Sequence, residues 1–222
     1  MGILNRLMLL FTGFNWLIIP AALLAIIFHE LSHGYVAFLM GDRTAKEHGR
    51  LSLNPFKHMG ILGLICMVIF GFGWAKPVPI NSYFFKNKKL GITLVSFAGP
   101  LSNVILATLA VLFGVLLSRI PETNETFEYV LVLISYFLVY FSILNVGLAV
   151  FNLLPIPPLD GSKVLFALLP GKAYRFVLNY ERYGMLILLV LINLPFFSDI
   201  LVWLRQLLYS GIENLVYTIL IR

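Results

Sequence analysis

The sequence predicts an all-α polytopic membrane protein with about four to six transmembrane helices. Its 222 residues are 60% hydrophobic and 12% charged, whereas soluble domains average about 45–50% apolar and about 25% charged residues. Several apolar runs approach the roughly 20 residues that cross a bilayer. Because no polar stretch is long enough to fold by itself, residues 1–222 are expected to form a single membrane-embedded domain.

Long apolar runs predict the membrane spans, at 14–40, 91–118, 129–154 and about 179–197. The first run continues directly into His29, so we expect it to be a retained helix and not a cleaved signal peptide. Polar residues interrupt the tail at 198–222, which is predicted as either a packed final span or an interfacial amphipathic helix.

The apolar stretch at 59–73 is too short for an ordinary span. The loops on either side of it, 41–58 and 74–90, are both basic. A crossing would put these loops on opposite sides of the membrane, against the positive-inside tendency. We therefore predict a re-entrant or β-hairpin element near residues 59–81 that returns to the same face.

Loop charges also predict the orientation of the chain. The net charge of +6 comes from basic residues in a few loops, which favours anionic lipid headgroups as partners over nucleic acid. The connection at 119–128 is acidic and is expected outside, whereas 155–178 is basic and is expected at the cytoplasmic face. The end of the 14–40 helix and segment 155–178 are therefore expected to meet at the cytoplasmic face. The protein is expected to be a multi-pass protein of the cell membrane.

The motif His29-Glu30-Leu31-Ser32-His33 lies near the end of the first span. Two histidines four residues apart on a helix are separated by roughly 40° around the axis and about 6 Å along it, so both can bind one ion. The glutamate between them suits a base beside a metal-activated water. Ionisable groups at membrane depth indicate a functional site, here toward the cytoplasmic side.

A catalytic zinc takes three protein ligands, so a third is needed elsewhere in the chain. Asp160 is the candidate, because it follows Pro155, Pro157 and Pro158, which cannot continue a helix. Non-helical backbone at membrane depth must be buried in protein or line a cavity. Asp160 and Asn152 are therefore expected to face a polar cavity.

The other acidic residues fit the third position less well. Glu122, Glu125 and Glu128 lie in the loop predicted for the opposite face. Asp42 and Glu47 are expected to follow the first helix into solvent. Glu181 and Glu213 remain open as alternatives, although each has a polar or charged neighbour that could pair with it.

Prolines at 77 and 79 predict an extended backbone over 74–81, since residues before proline avoid the helical region. An exposed edge of this kind can pair with an extended peptide. Pro77, Val78 and Pro79 are therefore candidate substrate-binding residues.

Four sequence motifs occur in order along residues 14–165: the His29–His33 motif, Gly73–Pro79, Phe97–Asn103 and Asn152–Gly161, which reads Asn-x-x-Pro-x-x-x-x-Asp-Gly. Together they resemble the site-2 protease family of intramembrane zinc metalloproteases (peptidase family M50), in a minimal form without PDZ or CBS domains.

The resemblance implies that one Zn²⁺ per chain is bound by His29, His33 and Asp160. It implies that Glu30 is the catalytic base and that Asn152 contacts the substrate or the oxyanion. The expected substrates are transmembrane proteins or peptides, cut within or next to their membrane segments.

Two other functions remain open on the sequence. The same three ligands could form the transit site of a metal-binding membrane transporter, in which Glu30 would have no role beyond its charge. The chain could also be an inactive protease relative that binds membrane segments. A structural polar cluster between packed helices is the non-functional interpretation of the motif.

The remaining polar residues are interpreted structurally. Asn103 follows small residues in its span and is assigned to helix packing, not to catalysis. His48 and His58 lie in a polar loop and are expected to be solvated. Cys66, the only cysteine, is expected to be a small buried apolar residue.

Overall fold

The computed structural model describes residues 13–70, 75–121, 124–169 and 183–221. These ranges contain helices α1 (Ile18–Leu39), α2 (Thr44–Glu47), α3 (Pro55–His58), α4 (Ile61–Phe70), α5 (Lys88–Leu117), α6 (Glu125–Asn152), α7 (Asp160–Leu168), α8 (Gly184–Ile192) and α9 (Pro195–Ile221), and no strand. The positions outside the described residues include Gly73, Trp74, Glu122, Glu181, residues 1–12, and residues 179–182 of the predicted fourth span.

Three helices are long and apolar enough to cross a membrane. They are α1 with its preceding 3-10 turn (Asn15–Leu39, mean hydropathy 1.6), α5 (mean hydropathy 2.2) and α6 (mean hydropathy 2.1). At 1.5 Å per residue, even a 25-residue helix is about 37 Å long, more than the hydrocarbon core of about 30 Å. The predicted all-α polytopic fold is confirmed.

The predicted fourth span is broken. Helix α8 ends at Ile192 and α9 begins at Pro195, because proline favours the first turn of a new helix. The two helices are bent by 87° and count as one candidate span only when taken together, which makes up to four spans in the described residues.

Helix α5 is the centre of the bundle and packs against α1, α6, α7 and α9. Its Ala110 lies in one apolar cluster with Ala21 and Ala25 of α1 and Phe141 of α6. Alanines at this crossing allow the backbones of α1 and α5 to approach closely.

The tail predicted as either a final span or an interfacial helix is packed. Ile212 and Val216 of α9 are buried in a second cluster with Ala107 of α5 and Val146 of α6. Apolar burial against two candidate spans therefore holds α9 to the bundle.

The element near residues 59–81 returns to its starting point, as predicted. Helix α4 has 10 residues, about 15 Å at 1.5 Å per residue, and is too short to cross the hydrocarbon core. The Lys76 N–H donates to the His58 carbonyl at 2.7 Å, so the two ends of the element meet. Its described residues form a helix and an extended segment, 75–81, not a β-hairpin.

Candidate metal centre

The structure brings His29, His33 and Asp160 together. The two Nε2 atoms are 3.1 Å apart, and they lie 3.2 Å (His29) and 3.0 Å (His33) from Asp160 Oδ2. All three residues are buried, with 6–7% of their surface exposed. Three donor atoms, spaced closely enough to bind one metal ion, thus lie between α1 and the start of α7.

The chemistry of these donors fits a cation. Nδ1 of His33 faces the Val95 carbonyl at 2.6 Å, and Nδ1 of His29 faces Asn103 Oδ1 at 2.6 Å. When the Nδ1 atoms carry the protons, both Nε2 lone pairs converge on a carboxylate oxygen with no proton between them. Tetrahedral zinc with bonds of about 2.0–2.2 Å separates its ligand atoms by about 3.3 Å. The observed spacing suits such an ion.

Asp160 is positioned by the irregular turn after α6. The next residue, Gly161, lies against this turn so tightly that a Cβ there would be 2.2 Å from the Leu153 carbonyl oxygen. Only glycine therefore lets α7 begin at this place. Lys163, one turn further along α7, lies with its Nζ 3.3 Å from Asp160 Oδ1, leaving Oδ2 to the histidines.

Asp160 is a carboxylate at neutral pH. Burial by itself raises the pKa of its side chain, but hydrogen bonds from His29 and His33, formed when their Nε2 atoms carry protons in the absence of a cation, and the charge of Lys163 lower it. The net effect holds the pKa of Asp160 well below its usual range. A metal ligand must be deprotonated in this way.

A cavity of about 420 Å³ opens beside the cluster. Glu30 lines it together with the three clustered residues, and its Oε2 accepts a hydrogen bond from the Val78 N–H at 3.1 Å. Pro77 and Val78 of the extended segment 75–81 also line the cavity, whereas Pro79 is not among the lining residues.

Asn152, the last residue of α6, lines the same cavity. Its side-chain amide donates to the Leu148 carbonyl of its own helix at 3.1 Å. Glu30, Asn152 and Asp160 therefore line one cavity, although Glu30 is more than a hundred positions away from the other two in the chain.

The prediction that Asp42 faces solvent is wrong. Its side chain is fully buried, at 0% exposure, and accepts hydrogen bonds from the backbone N–H groups of Thr44 at 2.9 Å and Asn81 at 2.6 Å. The reason is that segment 75–81 packs on the end of α1. The pattern Asp-x-Thr, which favours a turn closed by the carboxylate, was the available sequence signal.

The prediction that His58 is solvated is also wrong. Its side chain is fully buried and Nε2 hydrogen bonds to the Ser52 carbonyl. His48 is exposed, as predicted, and so is Glu47.

The sequence assigned Asn103 to helix packing, but the structure gives it hydrogen bonds in the site. It is fully buried, accepts from His29 and donates to Asn145 Oδ1 at 2.7 Å. Asn145, on α6, is fully buried as well. A polar side chain in the middle of an apolar span was the signal for both.

Comparison with known proteins agrees with this geometry. The family model of peptidase family M50 matches residues 17–193. "Putative zinc metalloprotease YwhC" of Bacillus subtilis is 42% identical over 173 residues, which is 78% of each chain. "Putative zinc metalloprotease Rip2" of Mycolicibacterium smegmatis is 29% identical over 92% of this chain and 78% of its own length.

An archaeal relative, "Putative zinc metalloprotease MJ0611" of Methanocaldococcus jannaschii, is 32% identical over 70% of this chain and 74% of its own length. No solved structure matches the chain. The family match covers α1, α5, α6 and the Asp160 turn, and so includes every residue of the cluster. The chain therefore belongs to peptidase family M50, as a multi-pass membrane protein and a zinc-dependent endopeptidase.

Proposed function

We propose that the protein is an intramembrane protease that hydrolyses peptide bonds within or next to the transmembrane segments of other membrane proteins. One observation carries the proposal. The His29, His33 and Asp160 cluster opens into a polar cavity, and two of its members lie on α1, a helix long and apolar enough to span the bilayer. A soluble peptidase has no need of such a helix.

In this proposal His29, His33 and Asp160 hold the zinc, since their donor atoms converge from two elements and each can be deprotonated at the facing atom. When bound, zinc polarises the scissile carbonyl and lowers the pKa of an attacking water toward 7. Burial of the three side chains excludes bulk water, which strengthens this electrostatic effect.

Glu30 is the general base. It takes the proton of the water whose oxygen bonds to the scissile carbon, and it returns that proton to the amine as the C–N bond breaks. Its place beside His29 on α1 supports this role, because its carboxylate reaches the same cavity as the cluster. The Val78 N–H at 3.1 Å holds the carboxylate in place before substrate arrives.

Asn152 contacts the substrate carbonyl as negative charge develops on its oxygen. Its position at the end of α6, on the wall of the cavity, supports this assignment.

Pro77, Val78 and Pro79 bind the unwound substrate as an extended strand. The N–H groups of Lys76, Val78 and Asn81 already donate within the protein, and the two prolines have none. The substrate therefore pairs mainly with the carbonyl oxygens of this segment, which accept its freed N–H groups.

We further propose that the site faces the cytoplasmic side of the cell membrane. The basic loops at 41–58 and 74–90 flank the segments that line the cavity, and the positive-inside tendency places such loops in the cytoplasm. Residues 1–222 would then act as one domain, with its catalytic core at about 14–165.

The test is Glu30→Gln in the purified protein, reconstituted with a panel of single-span substrates. We expect zinc content to stay at one per chain and cleavage to fall about 10²–10⁴-fold, the usual contribution of a general base. Glu47→Gln is the matched control, since Glu47 is an exposed carboxylate at the end of α2; it should cleave like the wild type.

Three outcomes would contradict the proposal. Cleavage by Glu30→Gln at the wild-type rate removes Glu30 as the base. Zinc flux into proteoliposomes, with every substrate left uncut by the wild type, favours the transporter instead. A wild type that binds membrane segments and zinc, moves no metal and cuts none of the panel indicates the inactive relative.

A further inference from the structure

A chain of hydrogen-bonded side chains crosses three helices behind the metal cluster. It runs from Asn145 on α6 through Asn103 on α5 to His29 on α1. Both asparagines have 0% exposure and lie in helices that are long and apolar enough to cross a membrane. Unpaired polar groups are costly at this depth, so every member must find a partner of the correct polarity.

The polarity of the chain starts at a backbone carbonyl. Asn145 Nδ2 donates to the Phe141 carbonyl at 2.8 Å, one turn earlier in α6. A carbonyl oxygen can only accept, so the nitrogen of the Asn145 amide must lie on this side. Its oxygen consequently faces Asn103.

A second backbone carbonyl orients Asn103 in the same sense. Asn103 Nδ2 donates to Asn145 Oδ1 at 2.7 Å and to the Ala25 carbonyl of α1 at 3.3 Å. With both acceptors on the nitrogen side, Asn103 Oδ1 must face His29 Nδ1, at 2.6 Å. The amide oxygen accepts, and therefore His29 carries its ring proton on Nδ1.

The consequence for His29 is a defined tautomer. With the proton on Nδ1, its Nε2 lone pair is free and faces Asp160. His33 reaches the same state directly, because its Nδ1 faces the Val95 carbonyl at 2.6 Å. The tautomer of His29 thus depends on two asparagine side chains. The tautomer of His33 depends on one backbone carbonyl.

We propose that Asn103, held by Asn145, is a positioning residue that keeps His29 in the Nδ1–H tautomer and directs its Nε2 to the zinc. The proposal rests on the function proposed above, in which His29 is a zinc ligand. It adds that the backbone carbonyls of Phe141 and Ala25 orient the two asparagine amides. This orientation selects Nε2 as the atom of His29 that binds zinc.

The first experiment measures zinc affinity by competition with a chromogenic chelator in detergent. Asn103→Leu keeps the size of the side chain and removes the acceptor, and we expect the affinity to fall about 10–100-fold, the usual effect of losing such a partner. Asn145→Leu should weaken zinc binding less, since the Ala25 carbonyl still orients Asn103.

Ser142→Ala is the matched control. Ser142 is buried on α6, close to Asn145, and its hydroxyl donates to the Val139 carbonyl of its own helix. Its zinc affinity should equal that of the wild type. A packing role for Asn103 predicts that Asn103→Leu also binds zinc normally, and that result overturns the proposal.

A second measurement needs no variant of the network. The chain has four histidines, so ¹⁵N-labelled imidazoles can be assigned with single substitutions and their protonated nitrogen read by NMR. We expect His29 to carry its proton on Nδ1 with zinc bound and after zinc removal. An Nδ1 of His29 that carries no proton, in the zinc-bound or the metal-free protein, overturns the proposal, even where the asparagine variants do not fold.

Failure of this inference is distinct from failure of the proposed function. A wild type that binds zinc and cleaves substrate, beside an Asn103→Leu protein of equal zinc affinity, rejects the positioning role alone. A wild type that holds no zinc, or a His29→Ala protein that keeps it, rejects the ligand assignment itself.

Discussion

Gly99 of α5 lies directly against His33 of α1. A Cβ placed on Gly99 would be 2.5 Å from Nε2 of His33, and 2.6 Å from Cε1 of His29. The glycine is buried and its helix passes next to the ring atoms that face Asp160. The spacing between α1 and α5 at the cluster is therefore set by the absence of a side chain at this one position.

Gly99→Ala should destroy the metal cluster without unfolding the bundle. The added methyl group must push both imidazoles from their positions, and a displacement of about 1 Å in a catalytic group can cost about 10²-fold in rate. We expect cleavage to fall by about that factor or more and zinc content to fall with it. Proteolysis assays and metal analysis of the same preparation check this.

Gly114→Ala is the control for that substitution. It lies on the same helix, and a Cβ there meets nothing within 4 Å. It should retain wild-type zinc content and activity. Full activity in Gly99→Ala would mean that the close contact has no part in the site.

Removal of zinc should lower the thermal stability of the protein. Without the ion, the converging atoms of His29, His33 and Asp160 lose their shared partner in a buried site. A ligand at about 100–1,000 times its Kd stabilises the folded state by about 2.7–4.1 kcal/mol. A chelator should therefore lower the Tm of the wild type, measured in detergent, and zinc should restore it.

His33→Ala provides the comparison for the chelation experiment. It lacks one of the converging atoms, so the same chelator should leave its Tm unchanged. An equal shift in both proteins would show that the chelator acts elsewhere than at the cluster.

Asp42→Ala should loosen the extended segment 75–81. The substitution leaves the Asn81 and Thr44 N–H groups without their acceptor, at a cost of about 1–3 kcal/mol for a buried donor. Because the segment forms part of the cavity wall, we expect KM for a membrane substrate to rise while zinc content stays constant. Steady-state kinetics and metal analysis measure both.

Glu47→Ala removes an exposed carboxylate from the end of α2, five residues further along the chain, and should change neither quantity. Loss of zinc from Asp42→Ala would contradict the prediction, since it would tie Asp42 to the cluster instead of the segment.

Methylation of substrate backbone nitrogens tests the pairing with segment 75–81. The segment has few free donors, because the N–H groups of Lys76 and Val78 are engaged and two of its residues are prolines. Substrates that pair with its carbonyl oxygens need their own N–H groups. One N-methyl group next to the cleaved bond should slow cleavage about 2–10-fold, the value of one hydrogen bond.

The control places the N-methyl group several residues away, outside the cavity, where cleavage should be unaffected. Equal rates for all the methylated peptides would rule out strand pairing as the mode of binding.

Most of the fold was predictable because a membrane leaves few alternatives. A run of about 20 apolar residues must form a helix in lipid, so the ranges of α1, α5 and α6 follow from composition with errors of a few residues at the ends. The break between α8 and α9 was not predicted, since hydropathy alone carries no information about the 87° bend between the two helices.

The site residues differed in how readily the sequence predicted them. His29 and His33 share one helix at a fixed spacing, so local geometry alone predicts that they meet. Asp160 could be predicted because the prolines before it cannot continue a helix. Asp42 was missed because its partner Asn81 lies 39 positions away, and the hydrogen bond exists only after segment 75–81 packs on α1.

By itself, the sequence determined that His29-Glu30-Leu31-Ser32-His33 lies on a membrane helix and made Asp160 the candidate partner, since helical periodicity and the effect of proline act over a few residues. Only the tertiary structure decided how the clustered side chains are held: Gly99 against the two rings, and Asn145 and Asn103 behind His29. These contacts join separate helices, and steric fit and hydrogen-bond polarity between helices do not exist until the bundle has packed.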